Sequence, residues 1–578
     1  MNIDKKFLNK TKNFFQDISR SEIIFQAILV GIISGILVVL FKVCITRVFL
    51  GVQDYIAPFS FSKKFLIFPL ITTLGGLIAG LLVFKIAPET RGSGIPYVKM
   101  TLARIGKGTR LRSIIVKFLA GLAGIGTGFS LGREGPSVQL GAGAGALVAK
   151  VFKKRGTNQH NLIAAGAGSA LGATFNAPIA GTLFVLEELA QSFSSSILFP
   201  VLIATVSAAG ITRHFLGENP SFGIPVVSNP ISYESLPVFV ILGFFAGLLG
   251  VLFAKTIYFY NDIYDKMTKI PNWFKPAIAG FIVGIMGLFL PYILSSGNFA
   301  IESLLQHKFT LGLIFIIFVG KFLLTPICFS SGAAGGIFLP MLMLGSFLGY
   351  FIGMIFSHFG LNIDPVIVAL VGMGAFLSAT ARTPITAVVM VFEMTGDYNH
   401  ILPIMLSIAV ADLVAEKLNH APIYSSLILK QKKQTDETIR LANIKVEEAM
   451  TETIDKATLG NTMVEALDLM QKPENLILPI IDNKERLVGS ITKAEIEDSI
   501  LQGVPLNTPV EKIMNPDPLN IRQEESLYKA YYVLHLGDTT NILVVDNNKK
   551  VTGILTRCNI LAFSHEHHEE CENLETQI

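Results

Sequence analysis

The sequence predicts an all-α polytopic membrane body made of two copies of one unit, with many tilted and broken helices, followed by a soluble α/β module that is also a tandem repeat. Three observations predict it. The first is the distribution of charge. Residues 431–578 hold 40 charged residues in 148 positions, about 27%, whereas residues 1–430 hold 50, about 12%. The second is a series of apolar runs of membrane-spanning length. The third is a pair of internal repeats, one in each part. With 51% apolar residues and 51 glycines, the chain is neither disordered nor a plain cytosolic enzyme. A net charge of +4 is too small to point to nucleic acid.

Taken in order, residues 1–22 are polar and carry Lys5, Lys6, Lys10, Lys12 and Arg20. They are expected to be a cytoplasmic N-terminal segment rather than a cleaved signal. A helix needs about 20 mostly apolar residues to cross a bilayer. Ile23–Phe41, Leu66–Phe84, Ile197–Thr212, Leu236–Phe253, Leu311–Phe329 and Ile337–Phe356 meet that requirement, and the body has room for ten or more. Basic clusters at Lys150, Lys153, Lys154 and Arg155, and at Lys430, Lys432 and Lys433, place those turns in the cytoplasm. Both termini are then expected on the cytoplasmic side of a cell (inner) membrane. The cysteines Cys44, Cys328, Cys558 and Cys571 are scattered, so neither a disulfide framework nor a metal site is expected.

The body repeats itself. Lys117-Phe118-Leu119 recurs as Lys321-Phe322-Leu323, 204 residues on, and Gly132, Pro136, Gly141 and Gly145 match Gly336, Pro340, Gly345 and Gly349 at the same offset. Gly166, Gly168, Pro178, Val185 and Glu187 match Gly372, Gly374, Pro384, Val391 and Glu393 at an offset of 206. Collinear matches of this kind mark residues 23–215 and 237–428 as two copies of one fold. Duplicated membrane halves are the build of many transporters, whose substrate sites lie where broken helices end.

Three Gly-rich segments interrupt the apolar helices. They are Gly92-Ser93-Gly94-Ile95-Pro96, Gly132-Arg133-Glu134-Gly135-Pro136 and Gly335-Gly336-Ile337-Phe338-Leu339-Pro340. Gly lets a backbone approach a ligand, and Pro suits a helix's first turn. Helix N-termini offer free N–H groups and a positive dipole end to an anion. Several such ends hold a small anion weakly enough to release it, as conduction requires. Glu134 is a carboxylate in an apolar stretch, a functional position by default. Ionised, it competes with an anion; protonated, it vacates the site, which couples proton to anion. A bland reading makes it the salt-bridge partner of Arg133.

These segments, together with Phe175-Asn176-Ala177-Pro178, Val391-Phe392-Glu393-Met394-Thr395-Gly396 and Ile423-Tyr424-Ser425, resemble the signatures of the CLC chloride channel and chloride/proton antiporter family over about residues 23–428. The resemblance implies that the two repeats are inverted and that the protein is a homodimer with one pore per subunit. It implies that the Ser93 and Tyr424 hydroxyls and the backbone N–H groups of Ile337 and Phe338 bind chloride. It implies that Glu134 is the external gate, and that Glu188 is the inner proton glutamate of exchangers. Glu187 has a repeat partner in Glu393, which suggests a structural helix-end role, whereas Glu188 faces Met394 at the equivalent place.

Residues 429–443 read as a linker. Beyond them a repeat at an offset of 64 matches Val446, Met450, Asp482, Gly489 and Thr492 to Val510, Met514, Asp546, Gly553 and Thr556. Each copy reads as helix, strand, strand, helix, with strands at Leu476–Ile481 and Leu487–Thr492, then Asn541–Val545 and Val551–Thr556. The pattern resembles a pair of CBS domains, at 444–502 and 508–565, followed by an acidic tail at 566–578. Such pairs in many proteins bind adenine nucleotides. The family's ribose-binding Asp is Glu495 in one copy and Asn559 in the other, which argues against a nucleotide here. Transport itself is expected to need no cofactor and no metal. His565, Glu566, His567, His568 and Cys571 read as a solvated end rather than a metal site. The sequence thus points to chloride/proton exchange, with a passive chloride channel as the alternative and a membrane-tethered sensor as a third reading.

Overall fold

The computed structural model describes residues 3–103, 110–154, 156–218, 220–222, 233–396, 400–418, 420–432, 441, 444–452, 454–470, 477–501, 504–516, 518–536 and 541–562. It divides into two compact units, Met1–Ile428 and Leu429–Ile578. Most of the linker and all of the acidic tail lie outside the described residues.

The first unit is helical throughout. Its first eight helices are α1 (Ile3–Ile56), α2 (Phe61–Leu81), α3 (Ile95–Leu102), α4 (Leu111–Thr127), α5 (Glu134–Val151), α6 (Gly156–Phe175), α7 (Pro178–Phe184) and α8 (Ser195–Leu216). The next eight are α9 (Leu236–Lys266), α10 (Lys275–Phe289), α11 (Asn298–Leu305), α12 (Leu311–Ser330), α13 (Phe338–His358), α14 (Pro365–Ala381), α15 (Pro384–Thr395) and α16 (Ile401–Lys417), and α17 (Ile423–Lys432) follows. The two sets of eight run in the same order, and the third helix of each, α3 and α11, is short and eight residues long. The N-terminal segment is the start of α1. Seven of the described helices are long and apolar enough to cross a membrane; five of the six runs above fall within them, and the sixth, Ile337–Phe356, starts one residue before its helix. The chain is an integral membrane protein.

Packing follows the duplication. Helix α5 lies on α6 as α13 lies on α14, and α1 lies on α8 as α9 lies on α16. Small residues make these contacts close. A Cβ at Gly141 would strike the carbonyl of Gly166, and one at Gly345 would strike that of Gly372. Without a hydrophobic drive between helices in lipid, such close backbone approach is what holds them.

Contacts across the halves are reciprocal. Gly132 N–H donates to the Gly336 carbonyl and Gly336 N–H to the Gly132 carbonyl, both at 2.6 Å, as an isolated antiparallel bridge. Glu187, just after α7, accepts from the N–H groups of Ile385 (3.0 Å) and Thr386 (2.7 Å) and from the Thr386 hydroxyl (2.6 Å) at the start of α15. Glu393, on α15, accepts from the N–H groups of Ile179 (3.1 Å) and Ala180 (2.7 Å) at the start of α7. Each half therefore caps a helix of the other, satisfying N–H groups that have no intrahelical partner. Exchange of equivalent contacts is the mark of a two-fold relation, here between inverted copies.

The second unit holds two three-stranded sheets. β1 (Ala457–Thr458) pairs parallel to β2 (Ile477–Ile481), which pairs antiparallel to β3 (Leu487–Thr492). β4 (Asn520–Arg522), β5 (Asn541–Val545) and β6 (Val551–Thr556) repeat this arrangement. The short strands β1 and β4 add to the helix–strand–strand–helix pattern read from sequence. The copies also exchange segments. Val446 packs in the core of the second sheet, with Ile521 and Leu527, while Val510 packs in the core of the first, with Met463 and Ala466. Hydrogen bonds between Thr451 and Ile554, and between Ser490 and Asn515, lock the exchange.

Candidate anion and proton site

Each of the three Gly-rich segments leads into a helix, as its Gly and Pro placement predicts. Gly94 is the N-cap of α3, at φ 92°, a backbone state that a side chain would strain. Arg133 precedes α5, which begins at Glu134. Ile337 precedes α13, which begins at Phe338. The segments are also bonded to one another. The Gly335 N–H donates to the Gly92 carbonyl at 3.1 Å, and Gly336 pairs with Gly132 as above. Three helix N-termini that are remote in sequence are thereby fixed together.

A buried lysine supports this arrangement from behind. Lys117, fully buried on α4, donates to the carbonyls of Thr90 (2.9 Å) and Gly92 (2.6 Å), which braces the loop that carries Ser93. Lys321 on α12 does the same for the other half, donating to Ile293 (3.1 Å) and Ser295 (2.8 Å). The recurrent Lys-Phe-Leu motif is thus a device that holds a loop.

The predicted site residues come together. Ser93, Glu134, Ile337, Phe338 and Tyr424 are all buried, none more than 1% exposed. The ring of Phe338 packs against Phe175 at 5.5 Å and Phe184 at 5.8 Å, and Phe184 meets the ring of Tyr424 at 6.5 Å. The Ser93 hydroxyl lies against Gly135, beside Glu134. Among the described residues, the Ser93 and Tyr424 hydroxyls and both Glu134 carboxylate oxygens have no hydrogen bond of good geometry, although the Leu339 amide at the start of α13 lies beside the carboxylate. Leaving a buried polar group unpaired costs about 1–3 kcal/mol, so each such atom in a native protein calls for an explanation. Two hydroxyl donors among helix N-termini are complementary to a small anion. The Glu134 carboxylate is set among those same N-termini. Arg133, the partner in the bland reading, makes no salt bridge with it among the described residues.

Glu188 lies elsewhere. It sits in a π-helical turn, Val185–Leu189, that continues α7, a kind of irregularity that is frequent at functional sites. The turn sends Glu187 to the α15 N-terminus and Glu188 inward. There the buried Glu188 carboxylate meets Lys99 of α3 at 2.8 Å, and the same ammonium donates to the Ser425 hydroxyl at 2.8 Å. Ser425 adjoins Tyr424, so a polar chain runs from Glu188 through Lys99 to the site. Lys99 escaped the sequence reading because a lysine in a short helix looks like an interfacial charge. Its one signal was its place on the helix that Ser93 opens.

In the second unit, Glu495 accepts from the Thr492 N–H (2.7 Å) and hydroxyl (2.9 Å), and Asn559 accepts from the Thr556 N–H (2.9 Å) and hydroxyl (2.6 Å). Both strand-end positions are occupied in capping their own helices. Among the described residues no group of three or more His, Cys, Asp or Glu is placed to hold a metal.

Both parts of the chain match known families. The family model described as voltage gated chloride channel matches residues 75–416, and that for the CBS domain matches 446–501 and 510–566. The chain is 34% identical over 433 residues to the H(+)/Cl(-) exchange transporter ClcA of Vibrio cholerae serotype O1 (strain M66-2), covering 73% of this chain and 91% of that protein. It is 35% identical over 425 residues to ClcA of Salmonella agona (strain SL483), covering 71% of this chain and 88% of that protein. Among solved structures it resembles a slow cyanobacterial Cl-/H+ antiporter, with TM-score 0.68 and 30% identity over 72% of this chain and 99% of that one. A eukaryotic CLC transporter shares the fold over 93% of this chain and 97% of its own, with TM-score 0.64 and 19% identity. With a duplicated helical body, three conjoined helix N-termini and these matches, the chain belongs to the voltage gated chloride channel (CLC) family and carries a C-terminal pair of CBS domains.

Proposed function

We propose that this protein exchanges chloride for protons across a cell (inner) membrane as a homodimer, with both termini in the cytoplasm. In this reading, chloride sits against the Ser93 and Tyr424 hydroxyls and the N–H groups of Ile337 and Phe338. Glu134 is the gate that yields its place when protonated. Glu188 relays protons from the cytoplasm, since a proton cannot follow chloride through the anion site from inside. The CBS pair regulates flux, and no cofactor is required for transport. The observation that carries the reading is the burial of two donor hydroxyls and one carboxylate, none with a good hydrogen bond, at conjoined helix N-termini. The exchanger names of the relatives point the same way.

A passive channel has one observation in its favour. Glu188 is held by Lys99, and a carboxylate bonded to an ammonium is a poor proton carrier. Liposomes holding the purified protein decide between the two. A chloride gradient should drive protons uphill in wild type, and Glu134→Gln should keep chloride flux, lose its pH dependence and move no protons. Chloride current reversing at its Nernst potential without proton flux would establish the channel instead.

A further inference from the structure

The two-fold relation applies to the serine as well. At an offset of 203, Gly92-Ser93-Gly94 becomes Ser295-Ser296-Gly297. Gly297 caps α11 at φ 97°, as Gly94 caps α3 at φ 92°, and both helices are eight residues long. Lys321 braces the loop before α11 as Lys117 braces the loop before α3. The second half therefore builds the same serine-and-helix-end device as the first.

That second device opens into a cavity of about 600 Å³. Ser295, Ser296, Gly297 and Asn298 form one wall, and Lys42 of α1 and Arg133 stand on others. Arg133 is only 7% exposed, and its Nε has no hydrogen-bond partner among the described residues. Glu302, one turn along α11, also lines the cavity. Two cations and a helix N-terminus thus face one carboxylate, which leaves the space attractive to an anion without trapping it.

We propose that Ser296, the N–H groups at the start of α11, Lys42 and Arg133 form a second station for a small monovalent anion, on the Arg133 side of Glu134. This rests on the anion-transport reading above and adds to it a waiting place from which an anion enters when Glu134 withdraws. Conduction is helped by several weak sites in series, and a cleft lined with one sign of charge raises the local concentration of its substrate.

Bromide, which stands in for chloride and is visible by anomalous diffraction, tests the proposal. Crystals of the full chain grown in bromide should show one peak at Ser93 and Tyr424 and a second within hydrogen-bonding distance of the Ser296 hydroxyl. A peak at the first place alone overturns the second station and leaves the transport reading standing. A peak at Ser296 with none at Ser93 removes the reading beneath it. In liposomes, Ser296→Ala and Lys42→Gln should each raise the half-saturating chloride concentration on that face by about two- to five-fold, the size of a partly solvated charge contact. Unchanged half-saturation in both, with each variant eluting as wild type on gel filtration, would also overturn it.

Discussion

Replacing Glu187 or Glu393 should weaken the fold of the body without touching the proposed anion site, and the structure sets the size of the effect. Glu187 gives up three hydrogen bonds, at 2.6–3.0 Å, and Glu393 two, at 2.7 and 3.1 Å. A net contribution of about 1.5–3 kcal/mol is usual for a hydrogen bond to a charged group, and a lost N-cap costs about 0.5–2 kcal/mol in water. The amides share one carboxylate, so their contributions are not independent. Glu187→Ala should therefore cost about 2–4 kcal/mol, and Glu187→Gln about half that, since one acceptor oxygen remains. Glu393→Ala should fall slightly lower, lacking the hydroxyl bond. The caps form a closed loop, because Glu187 is fixed by the helix that Glu393 caps and Glu393 lies on the helix that Glu187 caps. Loss of one should loosen the other, so the double variant should be less destabilised than the sum, by about 0.5–1 kcal/mol or more. Chemical denaturation in detergent, followed by circular dichroism, measures all four proteins. Single variants within 0.5 kcal/mol of wild type, or strict additivity, would refute the reasoning.

Four further outcomes follow from the structure. Lys99→Met leaves Glu188 buried without its partner, which should cost about 3–5 kcal/mol, and adding Glu188→Gln should restore most of it in the same denaturation assay. Glu188→Gln alone should preserve chloride flux in liposomes while abolishing uphill proton movement. Ser93→Ala and Tyr424→Phe should each weaken chloride binding by roughly ten- to a hundredfold, the size of one hydrogen bond to an anion, as read by titration calorimetry. The tail should lose stability on acidification. The Glu465 carboxylate is held below its ordinary range by hydrogen bonds from Asn461 and the Thr462 backbone, and that of Asp482 by the Arg486 backbone and side chain. A lowered folded value stabilises the module above the ordinary carboxylate range and is lost as pH falls through it. Lys445, raised by its hydrogen bond to Glu447, contributes up to the ordinary lysine range and loses its effect only above it. Urea unfolding of residues 431–578 should therefore weaken below about pH 4 and hold steady near neutrality; a midpoint that rose on acidification would contradict this.

Much of this protein was legible in its sequence because membrane duplication leaves collinear marks. The repeat alignment pairs Gly132 with Gly336, which bond to each other in the fold, and the symmetric position of Glu187 and Glu393 points to helix ends. Strands β2, β3, β5 and β6 were legible because apolar runs bounded by polar turns leave few alternatives. What was not legible is contact across long separations. Lys99 meets Glu188 across 89 residues and Ser425 across 326, and no local pattern announces such a meeting. The exchange of Val446 and Val510 between the tail's two cores was hidden for the same reason. Both residues look like the start of their own copy, and only packing assigns them to the other. Ser296 was passed over because Ser295 replaces the glycine that makes the first segment conspicuous.

The antiparallel bridge between Gly132 and Gly336 sits where the two halves meet, and it is blind to direction. Whatever it does for one face of the membrane it does equally for the other. The same holds for the paired lysines and the exchanged glutamate caps. A frame built only of such parts would pass its cargo alike both ways and would have no means of admitting protons from one side by a different path. Polarity must therefore reside in the places where the halves have ceased to match. Among those places, Glu134 stands opposite Phe338, Arg133 opposite Ile337 and Glu188 opposite Met394, and Tyr424 rides on a helix that follows the second copy. An ancestor with identical halves would have had the scaffold of this protein but no inside or outside.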